Sequence, residues 1–233
     1  MKIPQTCYRV CLAALLPIAL GIGITQCGHK SGNADLNRID GDGRTPMMHY
    51  CELGDTVKVQ ELLDQGADIH LQDREGNNAL MWACSRGQLR IVQALMDEGS
   101  DLNDQTIRGT TALMMAIRRG HGDIAKLLIA QGADIQVRDR NRNSALAYAT
   151  AARNAPIALL LIKEGADINN QDINGLSVLM LACKQGQASI VKALLDAKVN
   201  INAKGPKGWT ALRYAQAAKH SDIEGQLRRA GAR

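Results

Sequence analysis

Apolar positions in this chain recur at two spacings. Over short stretches they fall at i, i+3 and i+4, as in Ile124, Leu127 and Leu128, or at i, i+4 and i+5, as in Ile190, Leu194 and Leu195, which predicts helices with one buried face. Over longer range the whole pattern returns every 33 residues. Gly43, Gly76, Gly109, Gly175 and Gly208 form one ladder of that period, with Arg142 on its missing rung. Gly66, Gly99, Gly132, Gly165 and Gly231 form a second, interrupted by Lys198.

Each period predicts a helix pair and a turn. Thr45, Asn78, Thr111, Ser144, Ser177 and Thr210 share one slot, and all can cap a helix N-terminus with a side-chain oxygen. Pro46 suits the first helical position. The short Ala- and Met-rich helix that follows stops near Gly54, Gly87, Gly120 or Gly186, where glycine takes positive φ at little steric cost. A second helix and a polar turn complete the unit. Such a unit cannot bury its apolar face alone, so the period predicts a stacked array.

The segments GRTPMM, TTALMMAIRRGHGDIAKLLIAQGAD and WTALRYA resemble the ankyrin-repeat pattern, in phase over nearly everything from Asn33 onward. The resemblance implies an all-α ankyrin-repeat solenoid of helix-turn-helix units carrying β-hairpin or turn fingers. Its six units span 42–74, 75–107, 108–140, 141–173, 174–206 and 207–233, with 33–41 as a leading half-turn. The chain departs from the family where a histidine usually joins a hydrogen-bond network between repeats: Met48, Met81, Met114, Ala147, Met180 and Arg213 stand there. Thioether packing is expected to substitute. Unit four is the least regular, with Arg142 and Arg153 in glycine slots and Pro156 expected in the first turn of its second helix. Gln226, Arg228 and Arg229 give unit six a polar outer face suited to an end cap.

Residues 1–27 read differently. Lys2 and Arg9 precede an apolar run from Val10 to Ile24, which is the layout of a secretory signal and is short for a membrane-spanning helix. Ile24-Thr25-Gln26-Cys27 resembles the bacterial lipoprotein box, with Gln26 in place of the usual small residue. That resemblance implies lipidation at Cys27, a tether at 28–32, and a location in the bacterial cell envelope. The chain is then lipid-anchored on the periplasmic side of the outer membrane, or soluble in the periplasm if cleaved elsewhere.

Composition then narrows the chemistry. Aromatics make up 3% with no Phe, so packing must be mainly aliphatic. Cys51, Cys84 and Cys183 occupy one position of the repeat, too far apart in adjacent units for a disulfide, and read as small core residues. His121 and His220 fall where the family's Gly-His pair lies and read as structural. His29, His49 and His70 show no ligand spacing, and no phosphate loop or nucleophile motif is present, so neither enzyme nor cofactor nor metal is expected. Net charge is +5, and +3 without residues 1–27; with no reading motif, nucleic acid is not an expected partner.

The distribution of charge points to a binding surface. On the first helix of unit three, Leu113, Ala116 and Ile117 form one face and Met115, Arg118 and Arg119 the other. Read along the array, that second face and the turns give Arg74, Trp82, Arg86, Arg108, Met115, Arg118, Arg119, Arg140, Tyr148, Lys184, Trp209 and Tyr214 as candidate partner-binding residues. In the ankyrin family this concave side is where partners usually bind, and a basic, aromatic-studded groove suits a protein with an acidic surface. The resemblance implies a scaffold or accessory factor in the envelope, with a periplasmic immunity protein that blocks a toxin or lipase as the alternative.

Overall fold

In a computed structural model the described residues are 36–233, and they form twelve α-helices in six pairs. Cys27 and the expected leader and tether lie outside the described residues. The inner helices are α1 (Pro46–Leu53), α3 (Ala79–Arg86), α5 (Ala112–Arg119), α7 (Ala145–Ala151), α9 (Val178–Gln185) and α11 (Ala211–Ala217). Their outer partners are α2 (Thr56–Asp64), α4 (Leu89–Asp97), α6 (Gly122–Ala130), α8 (Ala155–Lys163), α10 (Ala188–Asp196) and α12 (Ser221–Arg229). Inner helices pack on inner, outer on outer, and each pair on itself. No strand is present among the described residues; the fingers show only the isolated antiparallel bridges Arg138–Ser144 and Gln171–Ser177.

Helices of seven to nine residues are too short to persist alone, so capping and packing must hold them. Thr45, Asn78, Thr111, Ser144 and Ser177 each accept the backbone N–H three residues on. Thr210 does not, against expectation. It is half-exposed, so water can serve the first-turn amides that Thr45 and Ser144 must serve in a buried setting. Pro156 sits in the first turn of α8 behind the Asn154 cap, as its missing N–H requires.

One core runs through all six units. Ile91, Leu95, Leu113, Ile117, Leu128, Leu146 and Ile157 are fully buried, and so are Met48, Met81 and Met114 in the slots where histidine was missed. Glycine at the end of the inner helices answers two demands. Gly87 has φ +78°, and a Cβ there would lie 2.6 Å from the His121 ring; Gly186 has φ +73° and would meet the His220 ring at 2.7 Å. His121 Nε2 also lies 3.2 Å from the Ser85 carbonyl oxygen, tying unit three to unit two. Both histidines are interlayer packing groups.

Two further ladders join the units. At the fingertips the amides of Arg74, Ile107, Arg140 and Ile173 donate to the carbonyls of Asp42, Glu75, Arg108 and Asn141 in the preceding finger. In the turns after the outer helices, Asn37, Asn103, Gln136, Asn169 and Asn202 accept from the amides of Asp68, Asp134, Asp167, Asn200 and Arg233. His70 occupies the equivalent position in unit one, and no such bond forms there.

Candidate partner-binding surface

Each finger is built on the residue at its base. Oδ1 of Asp40, Asp73 and Asp172 accepts two backbone amides of its own turn at 2.8–2.9 Å, and Asp139 accepts the Asn143 amide at 2.7 Å. Thr106 does the same through its hydroxyl to the Thr110 amide. These carboxylates close the turn, which is why Asp suits the slot. In two units the second carboxylate oxygen reaches the inner helix. Trp82 Nε1 donates to Asp73 Oδ2 at 3.0 Å, and the Tyr148 hydroxyl donates to Asp139 Oδ2 at 2.7 Å. Burial, then the Asp139 hydrogen bond, push the Tyr148 phenol up to about 12, against a smaller opposing pull from the nearby Arg118 charge.

Trp82 and Tyr148 are therefore anchors of their own fingers, half-buried, with their polar atoms already engaged. The Arg44 guanidinium stacks 4.1 Å from the Trp82 ring centroid and bonds Glu52 at 2.7 Å. Glu52 also receives Arg86. Burial disfavours the Glu52 charge, but Arg86 and Arg44 outweigh it and hold the carboxyl below its usual value. Arg86, expected to be part of an open basic stripe, is thus ion-paired to Glu52, a carboxylate it shares with Arg44.

Met115 also departs from expectation. It is only 7% exposed, because the fingers of its own unit and of unit two fold over it. It floors a cavity of about 390 Å³ whose lining includes Arg74, Arg108, Arg118 and Ile107. None of the three arginines has an ion-pair partner among the described residues, and Glu75 alone brings an acid to the lining. Ile107 stands 53% exposed at the fingertip.

The twelve candidates thus separate. Arg74, Arg108, Met115 and Arg118 share the cavity between the second and third fingers. Lys184, Trp209 and Tyr214 line a second cavity of about 500 Å³ at the sixth unit. Arg119 and Arg140 are exposed and belong to neither cavity. Sequence reasoning missed Arg44, Glu52 and the finger-base Asp73 and Asp139; the signal was the nine-residue spacing from Asp73 to Trp82 and from Asp139 to Tyr148.

Among the described residues no helix is long and apolar enough to cross a membrane, and no cluster of three His, Cys, Asp or Glu side chains could hold a metal ion. Cys51, Cys84 and Cys183 are buried with free thiols; burial pushes Cys51 and Cys183 up to about 12 and Cys84 further in the same direction, so none is an activated nucleophile.

No curated protein matches the sequence significantly. The family model described as ankyrin repeats (3 copies) matches at residues 19–106, 84–172 and 146–227. With the repeated helix pairs and fingers, this shows that the chain belongs to the ankyrin-repeat family, whose arrays are protein–protein interaction modules and generally non-enzymatic binding scaffolds.

Proposed function

We propose that this chain is an exported binding module of the bacterial cell envelope that docks an acidic segment of a partner protein into the cavity between its second and third fingers. The observation that carries the reading is the convergence of Arg74, Arg108 and Arg118, without ion-pair partners among the described residues, around a Met115 floor. Arginine presents a planar fork that suits carboxylates, and a polarisable thioether floor accepts apolar groups between them. The surface is largely preformed, because the fingertip amide ladder and the finger-base side chains hold it before any partner arrives. A preordered site keeps the entropy cost of docking low.

The envelope location rests on the sequence of residues 1–27: the positive start, the apolar run Val10 to Ile24, and Cys27 in a lipoprotein-like box. In this reading Cys27 carries the lipid and residues 28–32 hold the array near the membrane.

Affinity capture from the native envelope tests the reading, using wild type beside an Arg74→Glu, Arg108→Glu, Arg118→Glu variant that melts at the wild-type temperature. The expected result is a specific partner retained by wild type and lost by the variant. Equal capture by both contradicts the site. A captured resident envelope protein makes the chain a scaffold or accessory factor; a captured toxin or lipase that loses activity on binding makes it an immunity protein. For the anchor, Cys27→Ser should abolish metabolic labelling with a fatty acid, and labelling that persists contradicts the lipid reading.

A further inference from the structure

The sixth finger departs from the others in three ways at once. Gly205 stands in the slot of Asp73 and Asp139, so no carboxylate is available nine residues before Tyr214. The Tyr214 hydroxyl accordingly makes no hydrogen bond among the described residues, whereas its counterpart Tyr148 is committed to Asp139. Pro206 stands where Arg74, Ile107, Arg140 and Ile173 donate their amides to the preceding finger. Proline has no N–H, and the fingertip ladder ends at the fifth finger. Released from it, the chain makes a 3-10 turn over Pro206–Gly208 with Lys207 at φ +57°. A Cβ at Gly205 would collide with Met180 Sδ, so an Asp anchor here requires the Met180 side chain to shift.

Beside this finger lies the cavity of about 500 Å³ lined by Pro206, Trp209, Tyr214 and Ala218, together with Lys184 and Lys207. Trp209 meets Tyr214 edge to face, with centroids 5.2 Å apart and planes at 60°, and the Arg213 guanidinium lies 4.9 Å from the Trp209 ring centroid. No acid lines the cavity, and neither lysine has an ion-pair partner among the described residues. Its volume falls within the range of ligand sites, and its walls combine an apolar surface with a few convergent polar groups.

An occupant that satisfies all of these groups must bring an anion and an apolar body on the same few atoms. An internal Asp or Glu brings the charge without the apolar body. A carboxyl-terminal Leu or Phe brings both on one residue. We infer that this cavity receives the apolar carboxyl-terminal residue of a partner protein, with Lys184, Lys207 and the Tyr214 hydroxyl taking its carboxylate and Trp209 and Pro206 its side chain. Charge-assisted bonds to the carboxylate supply orientation, and the aromatic wall supplies contact area. The inference rests on the reading of the chain as a protein-binding module, but it uses none of the residues of the Arg74, Arg108 and Arg118 cavity.

The chain has two tryptophans, Trp82 and Trp209, so the two indole N–H proton resonances of the intact protein report on both regions once Trp209→Phe assigns them. The titrants are acetyl-Gly-Leu and acetyl-Gly-Phe as free carboxylates, the same two as carboxamides, and acetyl-Gly-Glu-Gly-amide as an internal acid. The expected result is a saturable shift of the Trp209 signal alone with the free carboxylates, and binding about 10-fold weaker for the carboxamides and the internal acid. Tyr214→Phe and Lys184→Ala should each weaken the carboxylate several-fold, and the Arg74→Glu, Arg108→Glu, Arg118→Glu groove variant should leave it unchanged. Equal binding of carboxylate and carboxamide, a preference for the internal acid, or no saturable shift overturns the assignment. Because the groove variant leaves this titration intact, loss of partner capture by that variant and failure of the indole shift are separate results.

Discussion

Tyr148 donates its hydroxyl to Asp139, a carboxylate only 7% exposed, and so fastens the inner helix of unit four to the base of its finger. The bond joins a neutral donor to a buried anion that also accepts the Asn143 amide. Removing the donor leaves that anion short of a partner. Tyr148→Phe is expected to cost about 2 kcal/mol and lower the melting temperature by about 4–8 °C. Tyr214→Phe, at the equivalent position without an anchor, should leave it nearly unchanged. Paired thermal melts check both, and equal losses would remove the distinction between the two tyrosines.

Backbone strain is stored where cations replace glycine. Arg142 sits at φ +64° in the slot that Gly43, Gly76, Gly109 and Gly175 fill at φ +75° to +83°. A left-handed residue with a Cβ costs about 1–2 kcal/mol, and glycine's greater freedom in the unfolded chain returns part of the gain. Arg142→Gly should stabilise the array by about 0.5–1 kcal/mol in chemical denaturation. The reverse change should cost more: Gly76→Ala puts a Cβ 2.8 Å from the Ile107 amide nitrogen as well as at positive φ. A destabilised Arg142→Gly variant would contradict this account of the slot.

Alkali should weaken the fold through the repeat cysteines. The Cys51 and Cys183 thiols are raised by burial to about 12 from an ordinary value of 9.0, so the folded state holds their protons more tightly than the unfolded state does. Their contribution is complete below pH 9 and falls as pH rises from 9 toward 12. Each thiol should withdraw about 1.4 kcal/mol per pH unit within that window. Thermal melts from pH 8 to 11 should show the decline, with a shallower slope for Cys51→Ala measured against its own value at pH 8. The same burial predicts that thiol reagents at pH 8 modify these three residues only as fast as the array opens.

Most of the architecture was legible because it repeats. The glycine ladders gave the period, and Gly54, Gly87, Gly120 and Gly186, expected to stop the inner helices, do cap them at positive φ. The capping slot predicted five of the side-chain caps and failed at Thr210, which is half-exposed where Thr45 and Ser144 are buried. The surface was less legible. Helical periodicity put Met115 opposite Leu113 and Ala116, but periodicity describes one helix and cannot register fingers folding over it. Arg86 read as a free cation because its partner Glu52 belongs to the preceding unit. The ties of Trp82 and Tyr148 to the aspartate nine residues earlier went unread because each was considered as part of its helix face alone. The special character of the sixth finger lay in Gly205 and Pro206, two residues whose meaning depends on the bonds their counterparts make.

The face that meets the partner can be observed directly. A photo-reactive benzoylphenylalanine placed at Ile107, on the fingertip beside the arginine cavity, can be compared with one at Lys192, exposed on the outer helix α10. After irradiation in the native envelope, the account predicts a discrete adduct from position 107 that is lost when Arg108→Glu and Arg118→Glu are added, and none from position 192. An adduct from position 192 with none from 107 would contradict it and place the binding surface on the outer helices.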